Sequence, residues 1–106
     1  MILELVLFPS PSADREAVLA DARTVVAHWQ ANPDLVRKHF VLSEDGTTGG
    51  GVYLWPSRQA AERAHDAAWR AGVLARTGAE PTIRYFDLLM VIDNEAGAVT
   101  EFASSE

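Results

Sequence analysis

The hydrophobic and polar positions divide the chain into segments of alternating period. Residues 2–8, Ile-Leu-Glu-Leu-Val-Leu-Phe, are apolar on both parities apart from Glu4 and predict a first strand. Pro9-Ser10-Pro11-Ser12 stops it, because two prolines cannot continue a ladder. From about Ala13 to Ala31, Val18, Ala22, Val25, Val26 and Trp29 recur at helical spacing. Ser12 is the candidate N-cap, Asp14 and Glu16 suit the positive end of the dipole, and Asn32-Pro33 ends the helix. A second strand over 35–42 places Leu35, Arg37, His39 and Val41 on one parity and Val36, Lys38, Phe40 and Leu42 on the other. The Asp45-Gly46 pair then predicts a turn into a third strand, Gly49-Gly50-Gly51-Val52-Tyr53-Leu54-Trp55, so the two form an antiparallel hairpin.

Pro56-Ser57 breaks this strand, and Ser57 offers an N-cap for a helix from about Arg58 to Gly72, with a kinked extension towards Gly78. Ala61, Ala64, His65, Ala68, Trp69 and Gly72 share one face of that helix, which puts His65 mid-helix against the sheet. Arg58, Gln59, Glu62, Arg63, Asp66 and Arg70 take the other face. Pro81 precedes a last strand over Thr82–Ile92. The order is β-α-β-β-α-β, an α+β ferredoxin-like arrangement with two helices on one face of a four-stranded antiparallel sheet. It occupies residues 1–94, and 95–106, polar with isolated Val99 and Phe102, reads as a loose or partner-docked tail. Strands 1 and 4 are apolar on both parities, yet two helices cover only one sheet face. The other face is therefore expected to pack against a second copy, giving a homodimer.

With 106 residues and 48% hydrophobic content, one domain with a sizeable core is expected. A net charge of −6 argues against a nucleic-acid partner, which needs a basic patch to displace counterions. Apolar runs are strand-sized, so no membrane span is expected, and the N-terminus lacks the basic region of a signal peptide. The absence of cysteine fits a reducing compartment, and a cytoplasmic location is the expectation. Three histidines on three elements do not make metal-ligand spacing, so no metal is expected. Gly49-Gly50-Gly51 precedes a strand rather than a helix, which suits a bulge or close backbone approach better than a phosphate loop.

Leu35-Val36-Arg37-Lys38-His39-Phe40, Gly50-Gly51-Val52-Tyr53-Leu54-Trp55, Ala60-Ala61-Glu62 with His65, and Tyr85-Phe86-Asp87 together resemble the YdhR-like branch of the dimeric α/β-barrel proteins, relatives of the antibiotic-biosynthesis monooxygenases. The resemblance covers about Met1 to Asn94. It implies a homodimer, a pocket between sheet and helices in each subunit, and oxygenation of an aromatic substrate with neither metal nor flavin, hence no cofactor.

His65 is the candidate catalytic residue, because a neutral imidazole exchanges a proton near neutral pH, as abstraction from a phenol or quinol requires. Its structural alternative is a core histidine hydrogen-bonded to a backbone carbonyl or a tyrosine. Trp69, one turn on, either stacks on an aromatic ligand or fills the core. Tyr53 and Tyr85 are candidate substrate contacts, though the Tyr53 phenol can equally cap a buried polar group. Asp87, on the parity of Tyr85, either orients a histidine or forms a salt bridge within the dimer. His39 either joins His65 across the sheet–helix gap or blunts an edge strand. The expected function is a cofactor-independent monooxygenase of a small apolar aromatic. The alternatives are an isomerase or dehydratase using the same acid–base pocket, and a non-catalytic dimer that binds a small molecule.

Overall fold

The computed structural model describes residues 1–104. Its elements are β1 (Ile2–Pro9), α1 (Arg15–Thr24), α2 (Val26–Gln30), β2 (Arg37–Leu42), β3 (Thr48–Trp55), α3 (Arg58–Ala64), α4 (Ala67–Thr77), β4 (Thr82–Asp87), β5 (Met90–Asp93) and β6 (Ala98–Glu101). Four strands make an antiparallel sheet in the order β2-β3-β1-β4, the ferredoxin-like topology that the hydrophobic pattern predicts. β1 lies inside the sheet, paired with β3 on one side and β4 on the other. One sheet face carries Ile2, Glu4, Val6, Tyr53 and Trp55, all buried beneath the helices.

Both helices are broken where the apolar spacing predicts single ones. The first breaks at Val25 (φ −108°, ψ 3°), and the second breaks at His65 (φ −111°, ψ 57°). Competing caps explain the second break. Ser57 caps α3 as expected, accepting from the Ala60 N–H at 3.2 Å, and Asp66 then caps α4, accepting from the Trp69 N–H at 2.9 Å. A second N-cap inside an alanine-rich run starts a new helix rather than extending the old one. At the start of α1 the cap is Asp14, which accepts from the Glu16 N–H, while Ser12 accepts from the Asp14 N–H one step earlier.

The last expected strand also divides. β4 ends at Asp87, and the Leu88 N–H donates to the Met1 carbonyl at 2.9 Å, closing the sheet against the N-terminus. β5 pairs instead with β6 in a separate two-stranded hairpin. Asp93 shapes its turn by accepting from the N–H groups of Glu95 and Ala96. Within the segment expected as a loose or partner-docked tail, Ala98–Glu101 form β6, and residues 105 and 106 lie outside the described residues. The hairpin leaves Met90, Ile92 and Val99 half or more exposed. No helix among the described residues is long and apolar enough to cross a membrane.

The glycine run before Val52 is a close-approach device. A Cβ on Gly50 would sit 1.8 Å from the Val6 carbonyl oxygen of the neighbouring strand, and one on Gly51 would sit 2.8 Å from the Tyr53 ring. A Cβ on Gly72, inside α4, would meet nothing within 4 Å. Opposite outcomes are expected from one chemical change. Gly50→Ala is expected to lower stability by about 3 kcal/mol or more, because backbone has to move. Gly72→Ala is expected to raise it by roughly 0.5–1 kcal/mol through helix propensity. Denaturant melts of the two variants check this, and equal midpoints would contradict it.

Candidate functional site

Strand register places four polar side chains in one row across the covered face of the sheet. Lys38 is opposite Tyr53, Tyr53 is opposite Glu4, and Glu4 is opposite Tyr85. The row on one side is apolar or small, with Phe40, Gly51, Val6 and Ile83, and the row on the other holds Trp55 and Ile2 and ends at Asp87. Glu4 is fully buried, which is costly for a carboxyl unless hydrogen bonds replace water. Two donors converge on its Oε1: the Trp55 indole Nε1 at 2.9 Å and the His65 imidazole Nδ1 at 2.8 Å. An ionised carboxyl can only accept, and with Glu4 in that form Nδ1 of His65 carries the proton in this contact. The helix break drops His65 onto Glu4, where aromatic rings enclose it: Trp69 at 4.2 Å between centroids, Tyr53 at 4.6 Å and Trp29 at 5.4 Å.

On the β2 side of this couple lies a cavity of about 350 Å³ between the sheet and helices α1 and α4. That volume is within the ordinary range of small-ligand sites. Phe8, Trp29, Phe40, Tyr53 and Trp69 give it aromatic walls, and Lys38 contributes an amine. Gly51 makes room here, since the Tyr53 ring leans over it. The Lys38 amine donates to the Tyr53 hydroxyl and stands 4.2–4.3 Å from the ring centroids of Trp29, Phe40 and Tyr53. Those rings favour an ammonium, but removal from water opposes it more strongly. Burial pulls the Lys38 pKa down to about 7, against the smaller upward pull of the Glu4 charge. Burial first, and Glu4 second, push the Tyr53 phenol up, so it keeps its proton at neutral pH. The wall of the cavity thus holds a proton acceptor and a proton donor side by side.

The sequence candidates divide by position. Tyr53 and Trp69 line the cavity. His65 is fully buried behind their rings, at a helix end rather than mid-helix, and meets Glu4 rather than a backbone carbonyl. Tyr85 lies on the covered face beyond Glu4, half-buried under the Arg58 guanidinium at 4.4 Å, and burial and Glu4 raise its pKa. Asp87 is exposed at the end of β4, level with Ile2 and away from the cavity. His39 points to the opposite face of the sheet, in register with Val52, so it does not join His65. The strand alternation that buries Lys38 sends its neighbour outward.

Two residues outside the sequence candidates complete the site. Glu4 is the single polar residue of an otherwise apolar strand, and Lys38 is the only lysine in the chain, on the apolar parity of β2. Both signals are visible as isolated charges where apolar side chains belong. Among the described residues, no group of three histidines, cysteines or carboxylates is placed to hold a metal ion.

No protein-family model matches the sequence, and no curated protein matches it. Solved structures do resemble it. A monooxygenase from the gene ActVA-Orf6 of Streptomyces coelicolor, in complex with nanaomycin D, aligns with a TM-score of 0.65 at 20% identity over 86% of this chain and 89% of its own. Rv0793 from Mycobacterium tuberculosis aligns with a TM-score of 0.62 at 19% identity over 83% and 94%. An antibiotic biosynthesis monooxygenase gives 0.62 at 18% identity over 84% and 99%. At such identities the likeness establishes the fold, which this chain shares with monooxygenases.

The solitary lysine makes its protonation directly observable. In protein carrying lysine labelled at Cε, one lysine resonance is expected, titrating near pH 7 rather than near the ordinary value of 10.5. Lys38 has its pKa lowered in the fold, so between about pH 7 and 10 the unfolded chain holds more protons and stability rises with pH. Lys38→Met is expected to flatten that rise. A resonance that titrates above pH 10 would remove the neutral amine from the site.

Proposed function

We propose that this chain is a cofactor-independent monooxygenase of small phenols or quinols, in line with the YdhR-like pattern of its sequence. The observation that carries the reading is the cavity: an aromatic slot of about 350 Å³ with one amine, Lys38, and one phenol, Tyr53, on its wall. A flat aromatic stacks on Trp69 and its neighbours, and its hydroxyl takes the place beside Lys38. The neutral amine accepts the phenolic proton, and the resulting phenolate has the electron density that attack on oxygen requires. Tyr53 remains protonated and donates a hydrogen bond to the phenolate oxygen.

The electrons balance without an external reductant. A hydroquinone plus O₂ gives a hydroxyquinone plus water: one oxygen atom enters the ring, and the substrate supplies the four electrons that reduce O₂. His65 has a positioning role in this reading. Its Nδ1 holds Glu4, whose charge raises the affinity of Lys38 for a proton. The aromatic side of the cavity shields the anion from part of the solvent.

The site is proposed to work in a homodimer. Leu3, Leu5, Leu7 and Leu54 face away from the helices, and Phe86 on the same face is 40% exposed. A second copy laid sheet on sheet covers this face. Sedimentation at micromolar concentration is expected to give the mass of two chains, and a stable single-chain mass would contradict the assembly.

Oxygen consumption with a panel of substituted hydroquinones, read above the spontaneous rate, tests the chemistry. We expect a rate that climbs through pH 7 as Lys38 loses its proton. Lys38→Met is expected to lower kcat/KM by about a hundredfold or more with folding retained. Turnover that consumes no oxygen would instead assign the acid–base pocket to isomerisation or dehydration.

A further inference from the structure

The interior amine has a second chemistry that proton transfer does not use. We propose that Lys38 is a nucleophile for aromatic aldehydes, and that the cavity captures them as a reversible imine on its Nζ. Three features of the site support this. The amine is on the cavity wall, so a carbonyl carbon can approach it from the space that Phe8, Trp29, Phe40 and Trp69 enclose. The surrounding rings receive the aromatic part of the aldehyde by stacking. The Tyr53 hydroxyl, already in hydrogen-bond contact with Nζ, is the acid that dehydration of the adduct requires.

The Nζ lone pair forms a bond to the carbonyl carbon, and a proton moves from nitrogen to oxygen to give a carbinolamine. Tyr53 then protonates the departing hydroxyl, the C–O bond breaks, and water leaves as the C=N bond forms. The second amine proton returns to the Tyr53 oxygen. No oxidant or reductant takes part. A desolvated lysine in an apolar pocket is the usual setting for such a nucleophile. The lowered pKa of Lys38 leaves it, at pH 7, on the order of a thousandfold more neutral amine than an ordinary lysine holds. The glutamate behind Tyr53 limits how far that pKa falls.

Imine capture rests on the cavity and the amine and not on oxygen chemistry, so its test runs under nitrogen and is independent of any oxygenase activity. The intact protein is incubated at pH 7 with 4-hydroxybenzaldehyde and cyanoborohydride, and the adduct is located by mass spectrometry of peptides. The chain has two kinds of amine, Lys38 and the N-terminus, which makes assignment simple. Label is expected on Lys38, at a rate about a hundredfold or more above that of the same lysine in protein unfolded with urea. Tyr53→Phe is expected to slow labelling by about tenfold or more, because the proton donor is lost. Lys38→Met is expected to leave only the slow N-terminal adduct. Label confined to the N-terminus, or equal labelling of Lys38 in folded and unfolded protein, would overturn the proposal. An unchanged rate in folded Tyr53→Phe would overturn the part assigned to its hydroxyl.

Discussion

A carboxyl group with no exposure to solvent sits at the centre of the sheet, and the rest of the site is arranged around it. Glu4 is tolerable there because an indole and an imidazole both point at one of its oxygens. Each donor constrains its own element. Trp55 fixes the end of β3, and His65 fixes the place where the second helix stops and restarts. The same charge acts outward along the row, opposing the loss of the proton on Lys38 and holding protons on Tyr53 and Tyr85. Replacing Glu4 by an apolar residue would repack one position and alter three others. Hydrogen bonding, helix geometry and acid–base poise therefore meet in one side chain.

The fold is legible in the sequence because its signals are periodic. The apolar run over residues 2–8 marks a strand, Asp45-Gly46 marks the hairpin, and Ser57 marks a helix start, and all three hold. The helix breaks are not legible from apolar spacing, since α3 and α4 present alanines and Trp69 at helical intervals whether or not they are continuous. Only Asp66, which the spacing places among the exposed charges, carries the information, and its side chain is used as a cap. The same holds for the last strand, where Asp87 and the residues after it interrupt a run that hydrophobicity alone joins.

The candidate site is half legible for a related reason. Tyr53, Trp69 and His65 stand out through residue type, and the structure brings them together. His39 draws attention because histidine titrates near neutral pH in isolation. Lys38, its neighbour, acquires that property only from burial, which a sequence expresses weakly as one cation among apolar positions. Glu4 is a parallel case. Residue type describes a group in water, and this site consists largely of groups removed from water.

The order of strands also bears on how the molecule comes into being. β1 is made before either of its partners, and β4 follows only after the helices and the β2–β3 hairpin, as the pairing of Leu7 with Thr82 shows. The sheet cannot close until β4 has been synthesised. Until then the most apolar strand has an open edge. Such non-local closure slows folding and leaves an edge available for wrong pairing. The lone charge in the middle of β1 interrupts that apolar run. Before it joins the site, Glu4 helps keep an unfinished strand from finding its own kind.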